Sequence, residues 1–150
     1  MFETILVPLS RSRHSEMILP FVARMALLHG AKVTLLHVLE PPRVLLRPVG
    51  SMLILPPTAV DALENEGLEL LEAMREKLRE MGVQAGVLLA HGRIADTIAK
   101  TARDMGADLV AMVSSHRPWL SRVLSDSVSV ATYHRMDRGC LLLVRTGAPP

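Results

Sequence analysis

Rings and carboxamides are scarce in this chain of 150 residues, which holds two Phe, one Trp, one Tyr, and only Asn65 and Gln84 as side-chain amides. The core must therefore be built from Leu, Val, Ala, Ile and Met, which fill space by interdigitation rather than by large rings. Cysteine occurs once, at Cys140, which excludes an intramolecular disulfide and any cysteine-rich metal site. Its place in an apolar C-terminal run predicts inert burial. Charge of one sign is also missing, since 17 Lys and Arg against 15 Asp and Glu leave a formal +2. The arginines are spread along the chain, so a general nucleic-acid grip is not indicated. No apolar run approaches the roughly 18 residues needed to span a bilayer. Met1-Phe2-Glu3-Thr4 lacks the basic opening of a signal peptide. The expectation is a cytoplasmic protein with neither a membrane nor a nucleic acid as partner.

Apolar residues make up 49% of the chain, which points to a folded protein, and its length suits a single domain over 1–150. Buried-strand runs alternate with helical stretches from end to end, the pattern of a doubly wound parallel α/β sheet with helices on both faces. Thr4 to Leu9 reads as the first strand and Lys32 to Leu39 as the second. Between them Met17, Phe21, Met25 and Leu28 recur at three- and four-residue steps, predicting an amphipathic helix over Ser12 to His29 that stops at Gly30. Pro20 is expected to bend that helix or to mark where its regular part begins.

Thr58 to Met81 is the longest helical pattern, with Leu63, Leu70, Met74 and Leu78 on one side and Glu66, Glu69, Glu76, Lys77 and Glu80 largely on the other. Val83 to Ala90 supplies a third strand, Ile94 to Met105 a third helix and Asp108 to Val113 a fourth strand. Ser121 to Met136 and Cys140 to Arg145 complete the alternation as a fourth helix and a fifth strand. The segment Glu40 to Pro57 stands apart, holding five prolines among Val44, Leu45, Leu46, Val49, Met52, Leu53, Ile54 and Leu55. A loop so long and apolar either folds onto its own domain or serves as a lid or partner-contacting arm.

The stretch from Asp108-Leu109-Val110-Ala111-Met112 through Val113 and His116 to Leu120-Ser121-Arg122 and Asp126-Ser127-Val128 carries the most information. It runs from strand through loop to helix, the order in which doubly wound folds hold phosphate. It resembles the universal stress protein family, in which a D-L-I-V-M strand is followed by G-x-x-G, nine residues, then G and S or T. Ile5-Leu6-Val7-Pro8, Ser12, His14-Ser15-Glu16, Gly30-Ala31-Lys32-Val33-Thr34-Leu35-Leu36-His37-Val38, Gly92, Ile94-Ala95, Ile98 and Gly106-Ala107-Asp108-Leu109 extend the likeness over most of the chain. The resemblance, to UspA-like proteins, implies a Rossmann-like sheet of the adenine nucleotide alpha hydrolase kind, ordered 3-2-1-4-5. It also implies a stress-response role without catalysis.

In nucleotide-binding members of that family the crevice beyond strands one and four holds ATP. Glycine amides grip the phosphates, an Asp ending strand one holds the nucleoside, and the Ser or Thr touches phosphate. Here the three glycine positions are Val113, His116 and Asp126, Ser10 stands for the Asp and Arg11 for the glycine after it. Glycine permits positive φ and close approach of an N–H to phosphate, which a β-branched Val113 opposes. A carboxylate at Asp126 about 4 Å from a phosphate charge repels it by roughly 4 kcal/mol at an effective dielectric of 20. Ser127 and Val38 remain as the family has them, and Ser127-Val128 resemble the later part of the family's loop and the start of its helix.

The candidate crevice thus comprises Ser10, Arg11, Val38, Val113, Ser114, His116, Arg117, Asp126, Ser127 and Val128, with no cofactor expected and ATP or AMP disfavoured. Alternatively Arg11, Arg13, Ser114, Ser115, His116, Arg117 and Arg122 gather there and hold a nucleotide or small anion through side chains, or they are simply solvated. Pro118 and Trp119 either plug the vacated site, anchor a partner, or pack on the fourth helix.

His14, His29, His37, His91, His116 and His134 are scattered, with no metal-ligand spacing among them, and no metal site or catalytic residue is read. His37 is expected to pack or to hydrogen-bond within its strand. Family members commonly pair through the last strand, and Leu141, Leu142, Leu143 and Val144 form an apolar edge suited to a two-fold homodimer. The arm at 40–57 is the candidate contact for a protein partner.

Overall fold

The computed structural model describes residues 1–40, 57–114 and 128–145. Five strands form one sheet: β1 (Thr4–Pro8), β2 (Lys32–Leu39), β3 (Ala85–His91), β4 (Leu109–Ser114) and β5 (Cys140–Arg145). Their order is β3-β2-β1-β4-β5, every neighbouring pair is parallel, and both features match the expectation. Four helices connect them: α1 (Leu19–His29), α2 (Pro57–Glu80), α3 (Ile94–Asp104) and α4 (Val128–Arg135). The described part of the fourth helix begins at Val128, and residues 121–127 lie outside the described residues.

Because side chains alternate across a strand, each central strand feeds two cores. Ile5 and Val7, Val33 and Leu35, and Leu109 and Ala111 meet Leu19 and Val22 of α1 and Leu71, Met74 and Leu78 of α2 on one face. Leu6, Leu36, Val110 and Met112 meet Ile98 and Ala102 of α3 on the other. This two-faced burial is why the central strands read as continuous apolar runs.

The first helical segment departs from the expected one. Arg13–Ile18 is a 3-10 turn capped by Ser12, whose hydroxyl accepts from the His14 N–H, and the α-helix begins only at Leu19 with Pro20 in its first turn. Pro20 does mark the start of the regular part, where its missing N–H would have no partner. The buried face is Leu19, Val22, Ala23 and Ala26. Met17, Phe21 and Leu28 are exposed, and Met25 is half-buried. Phe21, Met25 and Leu28 all lie within the α-helix, which carries apolar residues on more than one side, so three- and four-residue spacing does not by itself pick the face that meets the sheet.

On α2 the buried line is Gly67, Leu71, Met74 and Leu78, with Leu63 and Leu70 half-buried beside it. Cys140 is exposed rather than buried. It opens β5, which pairs with β4 alone and so forms an edge of the sheet. Gly30 ends α1 as expected, at φ 67° with its N–H bonded to the Ala26 carbonyl.

Candidate functional site

The ladder between β1 and β2 has five register pairs, whereas β1 and β4 share only Ile5↔Leu109 and Leu6↔Val110. Past Leu6 and Val110 that pairing ends, and a cleft of about 350 Å³ opens at the carboxyl ends of β1, β2 and β4. This is the point where the crossovers from β1 and β4 leave toward opposite faces, the usual ligand position in a doubly wound sheet. Leu36 and Val38 come from β2, Met112 and Val113 from β4, Ile94 and Ile98 from α3, and Val128 from α4. These supply an apolar lining.

Polar groups come mainly from the loop after β1, and that loop binds itself. Ser10 N–H donates to Ser15 Oγ at 2.8 Å, and the two hydroxyls lie 2.8 Å apart. Ser12 N–H donates to Ser10 Oγ at 3.3 Å, and His14 N–H to Ser12 Oγ at 3.3 Å. Ser15 is buried, so this network is the loop's internal frame. The hydroxyl of Ser10 is committed to its own turn.

His37 is buried, and its Nδ1 lies 2.8 Å from the Leu9 carbonyl oxygen. A carbonyl only accepts, so Nδ1 carries the proton and ties the end of β1 to β2. Three contacts hold the first half of α2 over these strand ends. Arg11 Nη2 lies 2.9 Å from Glu66 Oε2, His91 Nε2 lies 2.9 Å from Glu64 Oε1, and Gly67 lets the helix approach the His37 ring. Glu40 Oε1 accepts from Ile94 N–H at 3.3 Å, at the start of α3.

The structure brings Ser10, Arg11, Val38, Val113 and Val128 to one cleft. Ser114 ends β4 in register with Arg145. Arg13 is exposed at the start of the 3-10 turn. Ser115, His116, Arg117, Pro118, Trp119, Arg122, Asp126 and Ser127 lie outside the described residues, as does the arm at 41–56. Sequence reasoning missed Glu66 and Glu40, whose partners are set by the tertiary fold, and Ile94, Ile98 and Met112 as lining. The last three carried a signal, since they sit at the start of a helix and the end of a strand beside the switch point. Among the described residues no group of three or more His, Cys, Asp or Glu is placed to hold a metal ion.

At the sheet edge Leu142 and Val144 pack toward the α1–α2 core and Leu141 toward the opposite one, while Leu143 is 43% exposed.

The model of the universal stress protein family matches residues 1–143. The chain is 30% identical over 133 residues to universal stress protein YxiE of Bacillus subtilis, covering 86% of this chain and 90% of that one. Its fold is similar to the solved structure of protein MJ0577 of Methanocaldococcus jannaschii, with a TM-score of 0.80, 23% identity and 99% of each chain covered. It is also similar to a universal stress protein solved in complex with cAMP, with a TM-score of 0.75, 19% identity, and 97% of this chain and 99% of that one covered.

Proposed function

Since this chain belongs to the universal stress protein family, we propose that it is a non-catalytic stress-response protein that acts as a homodimer and does not bind ATP in the family's usual way. The observation that carries the ligand part is the closed polar network after β1, where Ser10 is bonded to Ser15 and Arg11 to Glu66. Among the described residues of that loop a nucleoside hydroxyl meets no carboxylate, as it would with the family's Asp. Val113 also sets a β-branched side chain at the first glycine position, against the close approach that a phosphate needs. Calorimetry with ATP and AMP tests this: no saturable ATP binding is expected in the micromolar range, and saturable binding there overturns the reading.

Pairing through β5 would cover an edge that otherwise leaves its outer ladder groups unpaired. The proline- and leucine-rich arm at 40–57 is then the contact for a protein partner. We place the protein in the cytoplasm, for which the lone cysteine is suited. No helix among the described residues is long and apolar enough to cross a membrane.

A second reading is favoured by the cleft itself, which lies at the switch point of a fold whose relative was solved with cAMP. In it the remodelled loop holds a nucleotide or small anion through side chains. Binding of phosphate, AMP or ATP that disappears in the Arg117→Ala, Ser127→Ala double variant supports it, and unchanged binding overturns it.

A further inference from the structure

Among the described residues, two features of the crevice would attract an anion, and each is already occupied by one of the chain's own carboxylates. Among the described lining residues Arg11 is the one Lys or Arg, and its guanidinium is held by Glu66 at 2.9 Å. The N-terminal end of α3 is the second feature. Its cap residue, Arg93, makes no side-chain capping bond and pairs instead with Asp96 at 3.6 Å, while Glu40 accepts from Ile94 N–H at 3.3 Å. Glu40 and Ile94 both line the cleft. A carboxylate there cancels the partial positive charge of the helix end.

We infer that Glu66 and Glu40 set the charge selectivity of this crevice by standing where a ligand's anionic group would otherwise be held. The inference rests on the proposed reading that the crevice is the ligand site and has lost the usual ATP grip. Arg11 and Glu66 cancel one another, and Glu40 adds a negative charge with no lysine or arginine left to balance it among the described lining residues. What remains among the described residues is a largely apolar slot walled by Val38, Ile98, Met112 and Val113. That slot selects small molecules with an uncharged body over polyphosphates.

The Arg11–Glu66 pair is one of three contacts under α2 and adds little to stability, because its side chains are 63% and 50% exposed. Exposed ion pairs hold weakly, so removing Glu66 leaves the fold intact and frees a guanidinium whose planar donor fork suits phosphate. The glutamates therefore act on which ligand binds more than on stability.

The test titrates AMP and ATP into the wild-type protein, Glu66→Gln, Glu40→Gln, the Arg11→Ala, Glu66→Gln double variant, and Glu69→Gln, an equal change of net charge on an exposed position of α2. Methyl signals of Val38 and Val128 report whether the ligand enters the crevice. Glu66→Gln is expected to tighten nucleotide binding about three- to five-fold, more for ATP than for AMP, and Glu40→Gln about two-fold. Both gains should shrink at about 0.5 M salt. The Arg11→Ala, Glu66→Gln variant should lose the gain, and Glu69→Gln should show none.

An equal gain in Glu69→Gln, a gain that survives loss of Arg11, or no gain in Glu66→Gln overturns the inference. Binding by no variant at all also overturns it, while leaving intact the reading that ATP binding is lost. Tight ATP binding by the wild-type protein overturns that reading alone, since the selectivity is judged from the ratios between variants.

Discussion

Gly67 on α2 faces the ring of His37 so closely that a Cβ at that position would lie 2.9 Å from His37 Cδ2 and 2.9 Å from Leu89 Cδ1. Leu89 has a flexible end that can turn aside. The His37 ring is pinned, because its Nδ1 is bonded to the Leu9 carbonyl at 2.8 Å. The glycine therefore serves close approach between helix and strand, in the middle of a helix where its propensity is poor.

Gly67→Ala should consequently destabilise the protein although it improves helix propensity by about 1 kcal/mol. Overpacking against a fixed ring costs roughly 1–3 kcal/mol, so the net loss expected is about 1 kcal/mol. That corresponds to a fall in Tm of roughly 2–4 °C for a chain of this size. Thermal denaturation measures it. The effect should diminish in a His37→Ala background, because contacting residues do not act additively.

Asp108 stands between three strands. Its carboxylate accepts from Glu3 N–H at 2.8 Å and from Thr4 N–H at 3.2 Å, and its own carbonyl accepts from Cys140 N–H at 2.9 Å. Asp108→Ala removes the carboxylate and leaves two amides of β1 and its approach without that partner. Hydrogen bonds to charged groups contribute about 1.5–3 kcal/mol, so a loss near the lower end is expected for this half-buried site. Urea denaturation should show a lower midpoint with an unchanged slope.

Thr132 is fully buried in α4, and its hydroxyl has no hydrogen-bond partner among the described residues. Replacing it with Val keeps the shape and removes an unsatisfied polar group. Thr132→Val should raise stability by about 1 kcal/mol, read as a higher Tm. A decrease would show that the hydroxyl has a partner in solution.

The edge strand gives a prediction about assembly. Light scattering at micromolar concentration should find a dimer, and Leu143→Lys, at a residue 43% exposed on β5, should shift it to monomer. A monomeric wild-type protein would refute pairing through β5.

The alternation of strands and helices was legible because a parallel sheet buried on both faces writes itself as apolar runs, as in Ile5-Leu6-Val7 and Leu109-Val110-Ala111-Met112. The sheet order followed from the family likeness together with crossover handedness. What escaped was decided by geometry that no spacing rule carries. Met17, Phe21 and Leu28 kept a helical rhythm, but α1 is apolar on more than one side and the face it buries is Leu19, Val22, Ala23 and Ala26. Cys140 was misjudged although its strand was expected at an edge, because the first residue of an edge strand is covered by a neighbouring strand on one side only. Of the crevice, Ser10, Arg11, Val38, Val113 and Val128 were legible through their places at strand and helix ends. The pairing of Arg11 with Glu66 was not, since 55 positions separate them in the chain and only the fold brings them together. Gly67 did leave a trace: a glycine in the interior of a long helix asks for a neighbour that needs the room.

The short ladder between β1 and β4 has a mechanical side. With two register pairs at that junction, against five and seven in the β1–β2 and β2–β3 ladders and six between β4 and β5, the sheet is two well-knit panels joined along a thin seam. Amide exchange should be fastest to propagate along that seam, because cooperative units divide where few bonds cross. The crevice lies over it, with walls drawn from both panels. Any ligand that fills the crevice would therefore act as a staple across the seam, and occupancy would be read as the two panels melting together instead of in turn.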